Sequence, residues 1–445
     1  MPGRPIDVET DLHTEPMVLN LGPSHPMTHG TVRILATLEG ETLLRAEVEI
    51  GYLHRAFEKS CEHGTWQQAF PYTDRLNYNS AIVNNVCYAM GVEKLLGVEV
   101  PERCRFIRTI ASEIARIADH LTCVGPSSME VGAFSTFLYF VEARELMWDL
   151  IESLCGARLT NNYVRIGGVK ADLTDDFGDH VKRNFARTRE LMWDLIEALC
   201  GARLTNNYVR IGGVKADLTD DFRDHVKRNF ARTRALISDV DKLLSRNRIF
   251  VDRMRDTGVI SAEEAIDWGW TGPCLRSTGV DLDLRKDEPY LVYDRVDFDV
   301  PVGEHGDNFD RYLLRMEEMR QSMRIVEQCL EKIPEGPINV DDPRVRWPAK
   351  ALVYTKMEEL IDHFKLIFEG VKPPKGEVYV PNESPNGELG FYLVSDGTGK
   401  PVKARCRPPC FATMQALGPM LKGAMIADIV PTFGMINMIG GECDR

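Results

Sequence analysis

Pro101-Glu-Arg-Cys-Arg-Phe-Ile-Arg-Thr-Ile-Ala-Ser-Glu-Ile-Ala-Arg-Ile-Ala-Asp-His-Leu121 is the stretch that sets the architecture. Proline is well placed at the start of a helix, where its missing N–H costs nothing. Behind it Ile107, Ile110, Ala111, Ile114, Ile117, Ala118 and Leu121 keep the i, i+3, i+4, i+7 spacing of a well-buried amphipathic helix. Three more segments read alike. Arg75–Leu96 puts Leu76, Ile82, Val86, Ala89, Met90 and Leu95 on an inner face and ends at Gly97. Gly132–Leu154 is apolar over much of its circumference, which predicts a place deep in a bundle. Asp307–Ile333 turns Tyr312, Met316, Met319, Met323, Val326 and Leu330 inward. Shorter helices are expected after Gly51, after the capping box Ser261-Ala-Glu-Glu264, and over Thr355–Glu369.

Strands flank this helical body. Val32–Glu39 and Thr42–Ile50 predict a hairpin around Gly40-Glu41, and Gly376–Pro381, Glu388–Ser395 and Pro401–Arg407 predict a second small sheet. The expected class is α+β, mainly α: a central helical bundle with small antiparallel sheets near the N- and C-terminal regions. The expected divisions are an N-terminal hairpin region at 1–64, the bundle at 65–335 and a C-terminal α+β region at 336–445.

Composition narrows the function. The 445 residues are 44% hydrophobic and 27% charged, ordinary for a globular chain with ample core. A net charge of −13 and no long basic run argue against following a phosphate backbone. Eleven dispersed cysteines without a Cys-x-x-Cys suit a reducing compartment. Met1–Thr10 is polar and acidic, unlike a signal peptide. The most apolar segment, Ala424–Gly441, is broken by Asp428, Pro431 and Asn437 and reads as buried core, not a membrane span. Membrane association is then expected only through partner proteins.

Residues 144–188 recur as 189–233 with only Ser153/Ala198 and Gly178/Arg223 differing. Solenoid repeats diverge and need more copies, so this pattern signals a recent tandem duplication or a copying error in the recorded sequence. Each unit reads as a helix end, a hairpin (Leu159–Leu173, or Leu204–Leu218) and a helix start, and Asp175–Leu199 has no breaker across the junction. Two hairpins cannot fill one packing slot. Copy one is expected in place, because its helix enters directly from Gly132–Leu154.

Gly22-Pro-Ser-His-Pro-Met-Thr-His-Gly-Thr-Val-Arg33 carries the first chemistry, with His25 and His29 in a loop whose path is set by Pro23, Pro26 and Gly30. An isolated His-Pro-x-x-His reads first as a pair of turn-bonding rings. Tyr78, taken alone, reads first as a core tyrosine on the inner side of its helix.

The ordered motifs LNLGPSHPMTHG, GYLHRAFEK, PYTDRLNY, CGARLTNNYVRIGGV, TGPCLRSTG, FDVPVGEHGDNFDRYLLRMEEMRQS, HFKLIFEG and the terminal GECDR run from Leu19 to Arg445. They resemble the quinone-site subunit, the D-type chain, of respiratory complex I (NADH:quinone oxidoreductase), a family similar to the large subunit of nickel–iron hydrogenases. The resemblance implies a peripheral-arm protein on the cytoplasmic face of the cell membrane. It also implies packing against an iron–sulfur partner, the B-type chain of the complex, that carries a 4Fe-4S cluster, with other peripheral- and membrane-arm subunits nearby. The substrate would be a quinone whose headgroup enters between this chain and that iron–sulfur partner. The hydrogenase relatives hold their metals through paired cysteines near both ends. Here Gly441-Glu-Cys-Asp-Arg445 has a single thiol and Cys61 has no partner three residues away, so no metal or other cofactor of this chain's own is expected.

Quinone reduction takes two electrons and two protons, and the natural arrangement is a proton donor at each oxygen. The resemblance gives those places to His29 and Tyr78. It places Glu130 where relatives usually have Asp, beside the histidine, with an extra methylene that shifts the carboxylate. Arg75 and Arg55 match arginines facing the neighbouring cluster, where a guanidinium favours its reduced form. Thr160 and Thr205 stand where many relatives have a cluster-facing histidine, and a threonine cannot take up a proton there. Two other readings stay open at this point: membership of a related membrane-bound oxidoreductase with another electron donor, and a non-catalytic assembly paralogue.

Overall fold

The computed structural model describes residues 15–28, 31–155, 158, 160–163, 205–207, 209–214 and 222–445. The expected class is what forms: a helical body with a three-stranded antiparallel sheet near each end.

In the first sheet β1 (Met17–Leu21), β2 (Arg33–Glu39) and β3 (Thr42–Glu49) lie in the order β1-β2-β3. Glu39 pairs with Thr42, so Gly40-Glu41 is a two-residue turn, and Gly40 supplies its positive φ. Strand β1 had no periodic signal of its own; its first two residues, Met17 and Val18, are exposed, and it pairs at the sheet edge with β2. The inner face, Leu21, Ile34, Ala36, Leu38 and Leu43, packs on the C-terminal helices through Met414, Leu417, Leu421, Ile429 and Phe433.

The helices α1 (Phe57–His63), α2 (Phe70–Thr73), α3 (Ala81–Leu96), α4 (Glu102–Glu130) and α5 (Phe134–Cys155) follow. The helix expected from Arg75 begins only at Ala81. Asn77 accepts a hydrogen bond from the Asn79 amide, and this local bond closes a 3-10 turn over Tyr78–Ser80 instead. Helix α4 continues nine residues past Leu121, through Pro126 to Glu130, because the apolar stripe goes on through Val124. Helix α5 is less deep than its composition suggests: Phe134 and Leu138 are exposed, while Phe140, Met147, Leu150 and Ile151 enter the core. An apolar circumference reports capacity for burial, and only the neighbours decide which side is used.

Of the repeat, the short strands β4 (Thr160–Tyr163) and β5 (Thr205–Asn207) are equivalent segments of the two copies. They pair in parallel, with Thr160 opposite Thr205 and Asn162 opposite Asn207. Strands β6 (Val209–Arg210) and β7 (Gly213–Val214) form a tight turn belonging to copy two. Copy two supplies this turn to the core, where copy one was expected. Ile211 is fully buried, the Glu93 carboxylate accepts from the Gly212 amide, and Arg108 donates to the Gly213 carbonyl at 3.0 Å. Copy one's hairpin turn at Gly167-Gly168 and the junction at 175–199 lie outside the described residues.

Then come α6 (Phe222–Leu244), α7 (Arg248–Met254), α8 (Ala262–Asp267), α9 (Gly272–Arg276), α10 (Leu284–Asp287), α11 (Asn308–Lys332), α12 (Lys350–Val353) and α13 (Met357–Phe368). Ser261 and Glu264 close the expected capping box at α8. All six inward residues expected on α11 are buried. Helices α4, α5, α6 and α11 pack together as the bundle, with α3 beside α4. The second sheet, β8 (Gly376–Ser384), β9 (Gly387–Ser395) and β10 (Lys403–Arg407), lies on α3, where Gly91 leaves room for Leu393. The chain ends in α14 (Pro409–Leu421), α15 (Ile429–Ile436) and α16 (Gly440–Asp444). Among the described residues no helix is long and apolar enough to cross a membrane.

Candidate functional site

Helix α16 is wedged between two loops. A side chain at Gly441 would lie 2.7 Å from the Leu76 carbonyl oxygen and closer still to that of Arg75, so only glycine lets the backbones meet. Asp444 then clasps the other loop: its carboxylate accepts from the Gly51 amide at 2.9 Å and the Leu53 amide at 2.7 Å, and its carbonyl lies 2.7 Å from His54 Nδ1. Arg55 bridges the two loops, donating to the Arg75 carbonyl at 2.6 Å and the Gly441 carbonyl at 3.4 Å. Partial burial and the neighbouring Arg75 lower the Arg55 pKa from its usual value. Arg75 itself donates to the Pro71 carbonyl, so its side chain folds back over α2.

Tyr78 sits in the 3-10 turn beside this junction and is 40% exposed. It is not a core tyrosine. Burial of part of its ring raises the phenol pKa, Asp119 and Cys410 raise it further, and Arg55 opposes them. Glu130, the last residue of α4, is half-buried with its carboxylate against Gly434 of α15. His29 lies outside the described residues. The structure thus brings Tyr78, Arg55, Arg75 and the terminal segment to one place, with Glu130 on the adjoining α4–α15 contact.

Sequence reasoning missed the polar chain beneath Tyr78. Asn437 takes the left-handed conformation that ends α15, and from there its amide donates to Asp119 Oδ1 at 2.8 Å and Asn386 Oδ1 at 2.6 Å. Asn386 donates to Glu442 at 3.3 Å, and the Cys410 thiol donates to the same carboxylate at 3.4 Å. Burial pushes the Glu442 carboxyl up to about 7.

Asp119 also opens onto a larger buried ionic network. Next to it His120 Nε2 lies 2.7 Å from Glu318, which accepts from Arg276 at 2.5 Å. Arg276 reaches Glu383 at 2.9 Å and Asp283 at 3.5 Å. Arg285 joins Asp283 at 2.7 Å to Glu113 at 3.3 Å, and Glu113 also accepts from Tyr293 and Ser322 at 2.6 Å each. Burial alone would raise the Glu318 carboxyl, but Arg276 and His120 hold it well below the usual range. The signal was present in the sequence: Glu113, Arg116 and His120 form a polar stripe at i, i+3, i+7, the same helical spacing that the apolar residues of α4 keep. Among the described residues no cluster of three or more His, Cys, Asp or Glu side chains is arranged to hold a metal ion.

The family model described as respiratory-chain NADH dehydrogenase, 49 Kd subunit, matches residues 130–187 and 183–445, resuming close to the boundary between the two copies. This chain belongs to that family. It is 52% identical over 440 residues to the NADH-quinone oxidoreductase D 1 subunit of Sorangium cellulosum, covering 99% of this chain and 98% of that one. The D subunit of the Myxococcus xanthus oxidoreductase is 49% identical over 439 residues, covering 99% and 95%. The C/D subunit of Bdellovibrio bacteriovorus is 44% identical over 444 residues, spanning 100% of this chain and 71% of that one. Family membership and full-length similarity agree with the sequence resemblance.

Proposed function

We propose that this chain forms the quinone-headgroup site of a proton-translocating NADH:quinone oxidoreductase and acts only within the assembled complex. The observation that carries the reading is a half-open phenol, Tyr78, set beside Arg55, Arg75 and the clasped terminus on the surface of a chain from the 49 Kd subunit family. The reaction is quinone plus two electrons plus two protons giving quinol. Electrons come from the 4Fe-4S cluster of the iron–sulfur partner, and this chain supplies protons. Tyr78 donates to one quinone oxygen and His29 to the other, with Glu130 orienting the histidine and raising its basicity. Tyrosine is a good hydrogen-bond donor but a weak acid, so its proton moves only as negative charge develops on the quinone.

Arg55 and Arg75 would lie on the side of this chain toward that cluster, where a guanidinium would favour its reduced form. The complex sits on the cytoplasmic face of the cell membrane, held there by membrane-arm subunits. The joined C/D name of the Bdellovibrio relative supports the C-type chain of the complex as a further neighbour. In the assembled complex, His29→Ala and Tyr78→Phe should each lower quinone reduction about tenfold or more. Electron transfer to an artificial acceptor upstream should be unchanged. Wild-type quinone reduction by both variants would put the site elsewhere.

A further inference from the structure

We infer that the bundle is completed by a hybrid of the two copies, residues 144–163 from copy one and 209–233 from copy two. In either copy a tyrosine is followed by a valine, Tyr163-Val164 or Tyr208-Val209. Joining Tyr163 to Val209 therefore makes one complete 45-residue unit. The surplus is then 164–208, which is neither copy as the sequence divides them. The inference concerns the core alone and does not rest on the proposed function.

Both halves are tied to the bundle. From copy one, Met147, Leu150 and Ile151 of α5 are buried. Arg158 is buried too and reaches back to Glu145 at 2.6 Å, Glu152 at 2.9 Å and Asp149. Strand β4 continues from there against α2 and α3. From copy two, Ile211 and, on α6, Val226 and Phe230 are fully buried. The two halves also meet each other: α5 packs on α6, and Asn229 of copy two donates to the Leu146 carbonyl of copy one at 3.1 Å. A close-packed position takes one occupant, so Leu195 cannot share the place of Leu150, nor Ile166 that of Ile211.

Helix continuity gives the reason. The outer boundaries of the repeat fall inside helices, 143/144 within α5 and 233/234 within α6. Use of one whole copy would send the surplus out at one of those boundaries. A long helix would then be cut, leaving backbone groups without their partners and a second helix start to nucleate. Departure after Tyr163 and return before Val209 interrupt only the passage from strand to turn. Strand β5 marks the return: it lies parallel to β4 with Thr205 opposite Thr160, an offset of one repeat. Parallel neighbours need a long crossover, and residues 164–204 supply it.

Deletion cannot locate the surplus, because the products are nearly the same protein. The same substitution made at equivalent positions of the full-length chain can. Leu150→Ala and Ile211→Ala should each lower the melting midpoint by about 3–5 °C. Leu195→Ala and Ile166→Ala should leave it unchanged. The sensitive positions thus cross from copy one to copy two. Sensitivity at Leu150 and Ile166, or at Leu195 and Ile211, would mean that one whole copy fills the bundle and would overturn the inference. Equal shifts from both copies at either position would overturn it as well. Should Leu150→Ala or Ile211→Ala yield no folded chain, milder pairs repeat the comparison: Ile151→Val against Ile196→Val, and Ile211→Val against Ile166→Val. Shifts of about 1 °C are then expected at Ile151 and Ile211 and none at their counterparts.

Discussion

Removing one copy of the repeat tests which copy the fold uses, and it can be done with a single-residue difference. Because 144–188 and 189–233 differ at only two positions, any 45-residue deletion within the repeat gives nearly the same protein. Deleting 154–198 keeps Ser153 and Arg223; deleting 189–233 keeps Ser153 and Gly178. The two products differ only in having arginine or glycine as the second residue of α6. In the structure the Arg223 guanidinium donates to the Leu330 carbonyl of α11 at 2.6 Å. That bond contributes about 1 kcal/mol after allowance for solvent at an exposed arginine. Glycine in the helix costs a further ~0.5–1 kcal/mol, and the cation near the helix N-terminus takes back a few tenths, on the order of 0.3 kcal/mol. The net advantage of the arginine product is about 1.5 kcal/mol. At roughly 2 cal/mol/K of unfolding entropy per residue, a chain of this size should melt about 2 °C higher. Both deletions should assemble at least as well as the full chain, since each frees one slot from two competitors. Melting curves of the two purified products and native gels of the complexes are the assays. Equal midpoints would show that Arg223 does not favour copy two. Loss of folding in both, with a normally folded full chain, would show that the extra 45 residues have become part of the core.

Gly441→Ala should prevent α16 from seating against Arg75 and Leu76, costing about 2 kcal/mol or more by overpacking and lowering the yield of assembled complex; a fully assembled variant would show that the contact relaxes cheaply. Arg276→Met leaves Glu318 and Glu383 without their shared cation in a dry interior, so the chain should lose about 3–5 kcal/mol in denaturant unfolding. A loss under about 1 kcal/mol would mean the network redistributes its protons or admits water. Glu442 gives a pH signature. Burial holds its carboxyl protonated up to about 7, whereas in the unfolded chain it ionises near ~4.3. Its contribution to stability is therefore fully present below the unfolded value and is lost as pH rises through about 7, a span of ~4 kcal/mol. Glu442→Gln should flatten the stability profile between those limits and gain on the wild type at alkaline pH; parallel profiles would refute the buried-acid assignment.

Periodicity carried the class, because a helix that must bury one face repeats its apolar residues whatever its partners are. The six inward residues of α11, the stripe of α4 and the Gly40-Glu41 turn were legible for that reason. So was the family, through motifs such as GYLHRAFEK and GECDR. Local competition hid the 3-10 turn at Tyr78, where one side-chain bond from Asn77 outweighs helix propensity. Asp119, Asn437, Asn386 and Glu442 are scattered over more than three hundred residues, and no spacing rule links them. Nor can two identical segments announce which will be buried. The Gly212 amide and Gly213 carbonyl meet Glu93 and Arg108 only after α3 and α4 have packed side by side. Near-identical sequence makes the two copies equal as isolated segments, and only the contacts on offer at one core slot distinguish them.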